Sequence, residues 1–151
     1  MAAGQMSGPY PSTIRPKVLA LVLAGGAAGS TVRHLLETAF PPAAGRWPWT
    51  TFTINVTGAF LLGLLVFALA RRGKDAGVLR RLRLTLGTGL LGGFTTYSTF
   101  ALEVHDLLGG GQVWTGLGYA AGSMFAGVAA ATGGALLARW LVLPGRPEPR
   151  S

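Results

Sequence analysis

The sequence predicts an all-α membrane protein with four transmembrane helices per subunit, and three observations predict it. Half of the 151 residues are hydrophobic and 12% are charged, giving a mean hydropathy of +0.46 that an ordinary water-soluble domain does not reach. The apolar residues fall into four runs, at about 18–36, 50–70, 82–102 and 113–143, each long enough to cross a bilayer as a helix. The charge is also lopsided. With four alternating spans, eleven of the thirteen lysines and arginines share one side with both termini, and only Arg33 and Arg46 fall elsewhere. Basic residues collect on the cytoplasmic side, so both termini are expected in the cytoplasm of a multi-pass protein of the plasma membrane. A net charge of +8 invites a nucleic-acid reading, but a basic patch needs a polar surface to sit on, and no nucleic-acid partner is expected here. The absence of cysteine excludes disulfides, thiolate metal sites and cysteine nucleophiles.

Residues 1–16 carry Gly, Pro and Ser without apolar periodicity and are expected to form a disordered cytoplasmic tail before a transmembrane domain at 17–143. A cleaved signal peptide is the competing reading of the first span, and the three further spans argue against it. That span places Gly25 and Gly29 one helical turn apart, a small-residue face for another helix. Arg33 has two readings, an interfacial side chain that reaches water or a cation that attracts an anion. Pro41 and Pro42 break the chain, and Trp47 and Trp49 suit the aromatic belt at a membrane surface. In the second span Asn55 must face a neighbouring helix or a wet pore and not lipid, so it is either interhelical glue or a pore group.

The basic stretch from Arg71 to Arg83 reads as a cytoplasmic loop against anionic headgroups. The third span then contains Gly87-Thr-Gly-Leu-Leu-Gly-Gly-Phe-Thr-Thr-Tyr-Ser-Thr-Phe100. Glycines followed by hydroxyls weaken a helix interior, and inside a bilayer a broken backbone survives only where protein or a wet cavity covers it. The stretch is therefore a candidate site. Glu103, His105 and Asp106 are expected in an exposed turn with Gly109–Gly111. The fourth span carries small residues at Gly118, Gly122, Ala126, Ala130 and Gly134, beside a polar stripe of Thr115, Tyr119 and Ser123. Residues 144–151 read as a second disordered cytoplasmic tail.

The glycine-rich first span with Arg33, the Ile54-Asn-Val-Thr-Gly run, the Gly92-Gly-Phe-Thr-Thr-Tyr-Ser-Thr-Phe100 block, and Tyr119 with Ser123 together resemble the bacterial fluoride channel family, the fluoride exporters called CrcB or Fluc proteins. The resemblance implies an antiparallel dimer of four-span subunits, with the third helix broken mid-membrane and two fluoride pathways at the interface. It implies that backbone carbonyls of Gly92 and Thr95 from both subunits hold a structural sodium ion (Na+). It places Asn55, Ser98, Thr99, Tyr119 and Ser123 along the fluoride pathway; Arg33, counted with them, would raise the local anion concentration if it stands at a vestibule and not at the interface. Tyr97 and Phe100 fall on the two phenylalanines whose ring edges face the ion, and Tyr97 departs from that pattern by bringing a hydroxyl. The chemistry is compatible: a small, strongly hydrated anion needs donors of moderate strength in place of its water, which amides, hydroxyls and ring edges supply.

Two readings from other classes stand beside this one. A small multidrug-type exporter is also a four-helix antiparallel dimer but wants an intramembrane carboxylate, and Glu37, Glu103 and Asp106 are expected at span ends. A non-transporting scaffold would use the glycines yet leave Asn55 and the Thr95–Phe100 block without a role. An enzyme is not expected, since no nucleophile, base and orienting group fall together. The charge count adds one expectation: a chain this lopsided inserts in one orientation and pairs with an oppositely oriented homologous chain instead of a copy of itself.

Overall fold

The computed structural model describes residues 16–142, all of them in helices or short connections. The expected tails at 1–16 and 144–151 lie outside the described residues, apart from Pro16. That proline opens helix α1 (Pro16–Ala39), since its fixed φ and missing N–H suit the first helical position. Helix α2 (Trp49–Arg72) carries Arg71 and Arg72 in its last turn, where cations favour the negative end of the dipole, and it stops at Gly73 with φ 140°. The last helix runs Val113–Leu141. These three are long and apolar enough to cross a membrane.

The expected third span at 82–102 is a chain of shorter pieces. Helix α3 (Gly77–Leu82) leads into a π-helical run (Arg83–Leu91), then α4 (Gly92–Phe94), and after residues 95–97 comes α5 (Ser98–Gly109). The Val113–Leu141 helix is thus α6. The exposed turn expected around Glu103, His105 and Asp106 does not form: all three lie along α5, and Glu103 is half-buried. Nothing between Leu102 and Leu108 breaks a helix; the stop comes from the glycines that follow, where Gly111 has φ 82°.

Close backbone approach holds the pieces together. Helix α1 lies against the π-helical run: a Cβ at Gly29 would sit 2.0 Å from the Leu90 carbonyl oxygen, and one at Gly25 would sit 2.5 Å from that of Thr85. Helices α2 and α6 meet in the same way, a Cβ at Gly134 falling 2.1 Å from the Phe60 carbonyl oxygen. The small-residue stripe read along α6 does not stay on one face. A four-residue repeat turns by about 40° per step on a helix of 3.6 residues per turn. Gly118 and Gly122 accordingly lie beneath the Trp47 ring, whereas Gly134 reaches α2. Large apolar side chains remain exposed along the three long helices, Leu23, Val66, Phe125 and Trp140 among them, as on helices surrounded by hydrocarbon.

The two ends of the bundle differ. At one end Arg71 Nε donates to the Val142 carbonyl at 2.8 Å, bringing the α2–α3 loop beside the end of α6. Arg83 there forms a forked pair with Asp75, at 3.1 and 2.5 Å, and this hydrogen bonding holds the Asp75 carboxyl below its ordinary pKa. At the other end Trp49 is exposed, as a belt residue would be, but Trp47 is not. The Trp47 ring packs edge-on against Phe52 and Tyr119, with centroids 5.7 and 5.4 Å away.

Gly134→Ala and its neighbour Gly133→Ala should separate cleanly. The first forces α2 and α6 apart, at a cost of about 1–3 kcal/mol, and should lower the thermal unfolding temperature of purified protein. The second meets nothing within 4 Å among the described residues and should leave it unchanged.

Candidate functional site

Residues 95–97 form the gap between α4 and α5, and Thr95 is extended, with φ −77° and ψ 156°. A gap of this kind removes helix partners from several amides and carbonyls. Side chains from the sequence around it and from α2 take their place. The Thr95 N–H and hydroxyl both donate to the Leu91 carbonyl, at 3.0 and 2.9 Å. Asn55 engages both backbone groups of Thr96: its Nδ2 donates to the Thr96 carbonyl and its Oδ1 accepts the Thr96 N–H, each at 2.9 Å. The glue reading of Asn55 therefore describes a real contact, made to a bare backbone segment and not to another side chain. One Nδ2 hydrogen is left over, and Asn55 also borders the adjoining groove.

Thr96 was not singled out by sequence, yet it organises the hydroxyl cluster. It is buried, and its Oγ1 accepts the Thr99 N–H at 3.1 Å, capping the first turn of α5. The same oxygen lies 3.2 Å from Ser98 Oγ and donates to Thr99 Oγ1 at 3.1 Å. Ser98 and Thr99 thus cluster around Thr96.

A groove of about 640 Å³ opens along the gap, bordered by α2, the third-span pieces and α6. It brings together Asn55, Gly92, Thr95, Tyr97, Phe100 and Ser123 from the residues expected to form a site, and adds Thr96. The Ser123 hydroxyl is buried there without a hydrogen-bond partner among the described residues, a polar atom with capacity to spare. Tyr97 is 81% exposed, and its ring centroid lies 6.0 Å from that of Phe100, which lies 5.2 Å from Tyr119. The three rings make a row from the subunit surface inward. Tyr119 is fully buried at its inner end and does not border the groove. Arg33 also stands apart, on α1, with Nε donating to the Gly93 carbonyl at 3.2 Å and Nη1 3.4 Å from Glu37.

Beyond Tyr119 lies a second group that sequence reasoning missed. Glu103 accepts hydrogen bonds from Thr51 Oγ1 and from the Tyr119 hydroxyl, both at 2.7 Å. It also borders a second hollow of about 470 Å³ with Arg46, Asp106 and Gln112. The available signal was the four-residue spacing of Thr51 and Asn55, which puts both on one face of α2.

The sequence profile of the family described as "CrcB-like protein, Camphor Resistance (CrcB)" matches residues 20–135. The chain belongs to this family. Among curated CrcB-like relatives it is 43% identical over 126 residues to "Fluoride-specific ion channel FluC 2" of Nocardia farcinica, covering 83% of this chain and 87% of that protein. It is 43% identical over 129 residues to "Fluoride-specific ion channel FluC 1" of Cutibacterium acnes, covering 85% of each. It is 45% identical over 124 residues to "Fluoride-specific ion channel FluC" of Phenylobacterium zucineum, covering 82% of this chain and 96% of that one. The CrcB-like match runs from α1 into α6 and includes the gap, Asn55 and the ring row.

Replacing Asn55 with leucine removes both contacts to Thr96 and leaves two buried backbone groups bare. Asn55→Leu should cost about 1–3 kcal/mol, read as a lower unfolding temperature together with faster hydrogen exchange at the Thr96 amide.

Proposed function

We propose that this chain forms a fluoride-selective channel of the cell membrane, through which cytoplasmic fluoride leaves passively. The observation that carries the reading is the groove at the third-span gap, where hydroxyls, an amide and ring edges face one space in a CrcB-like chain. Fluoride gives up its hydration shell only for comparable donors, and it leaves again only if none holds it too tightly. Asn55, Ser123 and the edges of Tyr97 and Phe100 offer donors or positive ring edges without a full charge. The activity is conduction and not catalysis. Tyr97 keeps the ring edge of a phenylalanine and adds a hydroxyl at the subunit surface.

The groove lies open on one subunit, and a second subunit inserted antiparallel would close it into a pathway. The gap then falls at the middle of a broken third helix near the dimer centre. Gly92 and Thr95 fit a structural sodium ion there. Both border the groove, carbonyl oxygens are suitable donors for such a cation, and among the described residues a Cβ at Gly92 would meet only the Gly87 carbonyl oxygen, at 3.8 Å. Two carbonyls from each subunit would hold the ion, which supplies positive charge to oxygens that the gap deprives of helix partners.

The charge distribution points to a partner that is not a copy. With both termini and the Arg71–Arg83 loop cytoplasmic, the two-sided insertion a self-paired antiparallel dimer requires is disfavoured. A homologous chain of opposite orientation would complete the channel.

Purified protein in liposomes, alone and with a homologous partner, should release fluoride to an electrode and retain chloride. Asn55→Asp should sharply reduce the flux, because it removes a donor and adds negative charge. No fluoride release in either format, or equal chloride release, overturns the proposal.

Orientation is measured separately with single cysteines in this cysteine-free chain. Ala76 and Gly109 are suitable positions, both exposed, whereas Asp75 is engaged by Arg83. An impermeant thiol reagent outside intact cells should label Gly109→Cys and not Ala76→Cys. Equal labelling of Ala76→Cys from both sides would mean dual insertion and a self-paired dimer.

A further inference from the structure

We infer that Arg33 is a positioning residue: with Ser30 it holds the Gly93 carbonyl, and so sets the orientation of the third-span gap from the α1 side. This departs from the reading of Arg33 as an anion-attracting vestibule charge. Its consequence for conduction rests on the proposed fluoride pathway.

The geometry begins with packing. Gly93 touches α1 so closely that a Cβ there would lie 2.4 Å from the Gly26 carbonyl oxygen. This contact brings the Gly93 carbonyl to the α1 surface one and two turns further along, where Ser30 Oγ donates to it at 3.3 Å and Arg33 Nε at 3.2 Å. In an unbroken helix that carbonyl would accept from the N–H of Tyr97, but α4 ends at Phe94 and α5 begins at Ser98. The α1 side chains therefore replace a lost helix partner.

Charge and burial favour the same role. Glu37, one turn beyond Arg33, pairs with Nη1 at 3.4 Å, and the two side chains are only 25% and 22% exposed. A covered and neutralised guanidinium is a weak attractor for a distant anion but a good fixed donor. Its fork also explains the residue type, since Nε and Nη1 reach the carbonyl and the carboxylate at once, which one ammonium group does less well.

The gap is then held from both sides. Arg33 and Ser30 hold Gly93 from α1, and Asn55 holds Thr96 from α2. Thr95 lies between these fixed points and Gly92 directly before them, and both border the groove. Loss of either hold frees the intervening peptide planes to rotate.

Gly93–Phe94 is the single Gly-Phe pair in the sequence, so carbonyl-13C glycine with 15N phenylalanine gives one signal, from this peptide bond. In the full-length protein reconstituted in lipid, Arg33→Met should move the Gly93 carbonyl resonance upfield, and Ser30→Ala should move it less. In flux assays Arg33→Lys, which keeps the charge, should lose about tenfold or more of fluoride release and discriminate less against chloride. The loss should be equal at low and high ionic strength. An unmoved Gly93 resonance in Arg33→Met overturns the inference, as does wild-type flux in Arg33→Lys or a deficit that disappears in high salt. If Arg33→Met does not reconstitute, an unmoved resonance in Ser30→Ala overturns it instead. A resonance that moves in protein whose wild type passes no fluoride would keep the tie to Gly93 and discard the fluoride reading.

Discussion

Peptide groups in the interior of a bilayer have no water to bind, and each one left bare costs several kcal/mol. The third apolar run of this chain, expected to cross the membrane, is interrupted. Its helix stops at Phe94 and resumes at Ser98, and the groups released in between determine much of what surrounds them. Asn55 engages both backbone groups of Thr96, the Thr96 hydroxyl caps α5, and Ser30 and Arg33 reach the Gly93 carbonyl. Polar side chains that would be a liability in a lipid-facing helix are here the means of keeping the backbone irregular.

Holding the gap requires helices to come very near it, and glycine makes this possible. Helix α1 approaches the π-helical run backbone to backbone at Gly25 and Gly29, and Gly93 meets it in the same manner. Such contacts give the short donors of α1 their reach: a serine hydroxyl spans little distance, so Ser30 serves only because no side chain intervenes. The π-helical run adjoins the same arrangement, and wide turns of this kind are frequent at functional sites.

The polar groups of the subunit also form a connected layout. The groove at the gap leads to the Tyr97, Phe100 and Tyr119 rings, and Tyr119 leads to Glu103, which borders the second hollow. Thr51 and Asn55, one turn apart on α2, serve the two regions, the first bonding Glu103 and the second bonding Thr96. A single face of α2 therefore ties the gap to the end of the bundle that carries Trp47. A second polar group lies on the α1 side, where Ser30 and Arg33 reach the Gly93 carbonyl and Arg33 pairs with Glu37.

The positions of α1, α2 and α6 were legible in the sequence because a bilayer imposes a length and an apolar composition that a chain cannot disguise. The weak point in the third apolar run was legible for a related reason: glycines and hydroxyls contradict the apolar pattern around them. Glu103 was misread because charged residues near a span resemble a helix end, when only the glycines beyond it stop α5. Thr96 was missed because neighbouring hydroxyls look alike until one of them meets the amide it caps. By itself the sequence determined the apolar spans, the charge asymmetry and the place where the third span would weaken, all of which follow from local composition and spacing. Only the tertiary structure decided which group satisfies which. Asn55 with Thr96, Arg33 with Gly93, and Glu103 with Thr51 and Tyr119 are partners across helices, and hydrogen bonds between distant residues depend on distances that no local pattern contains.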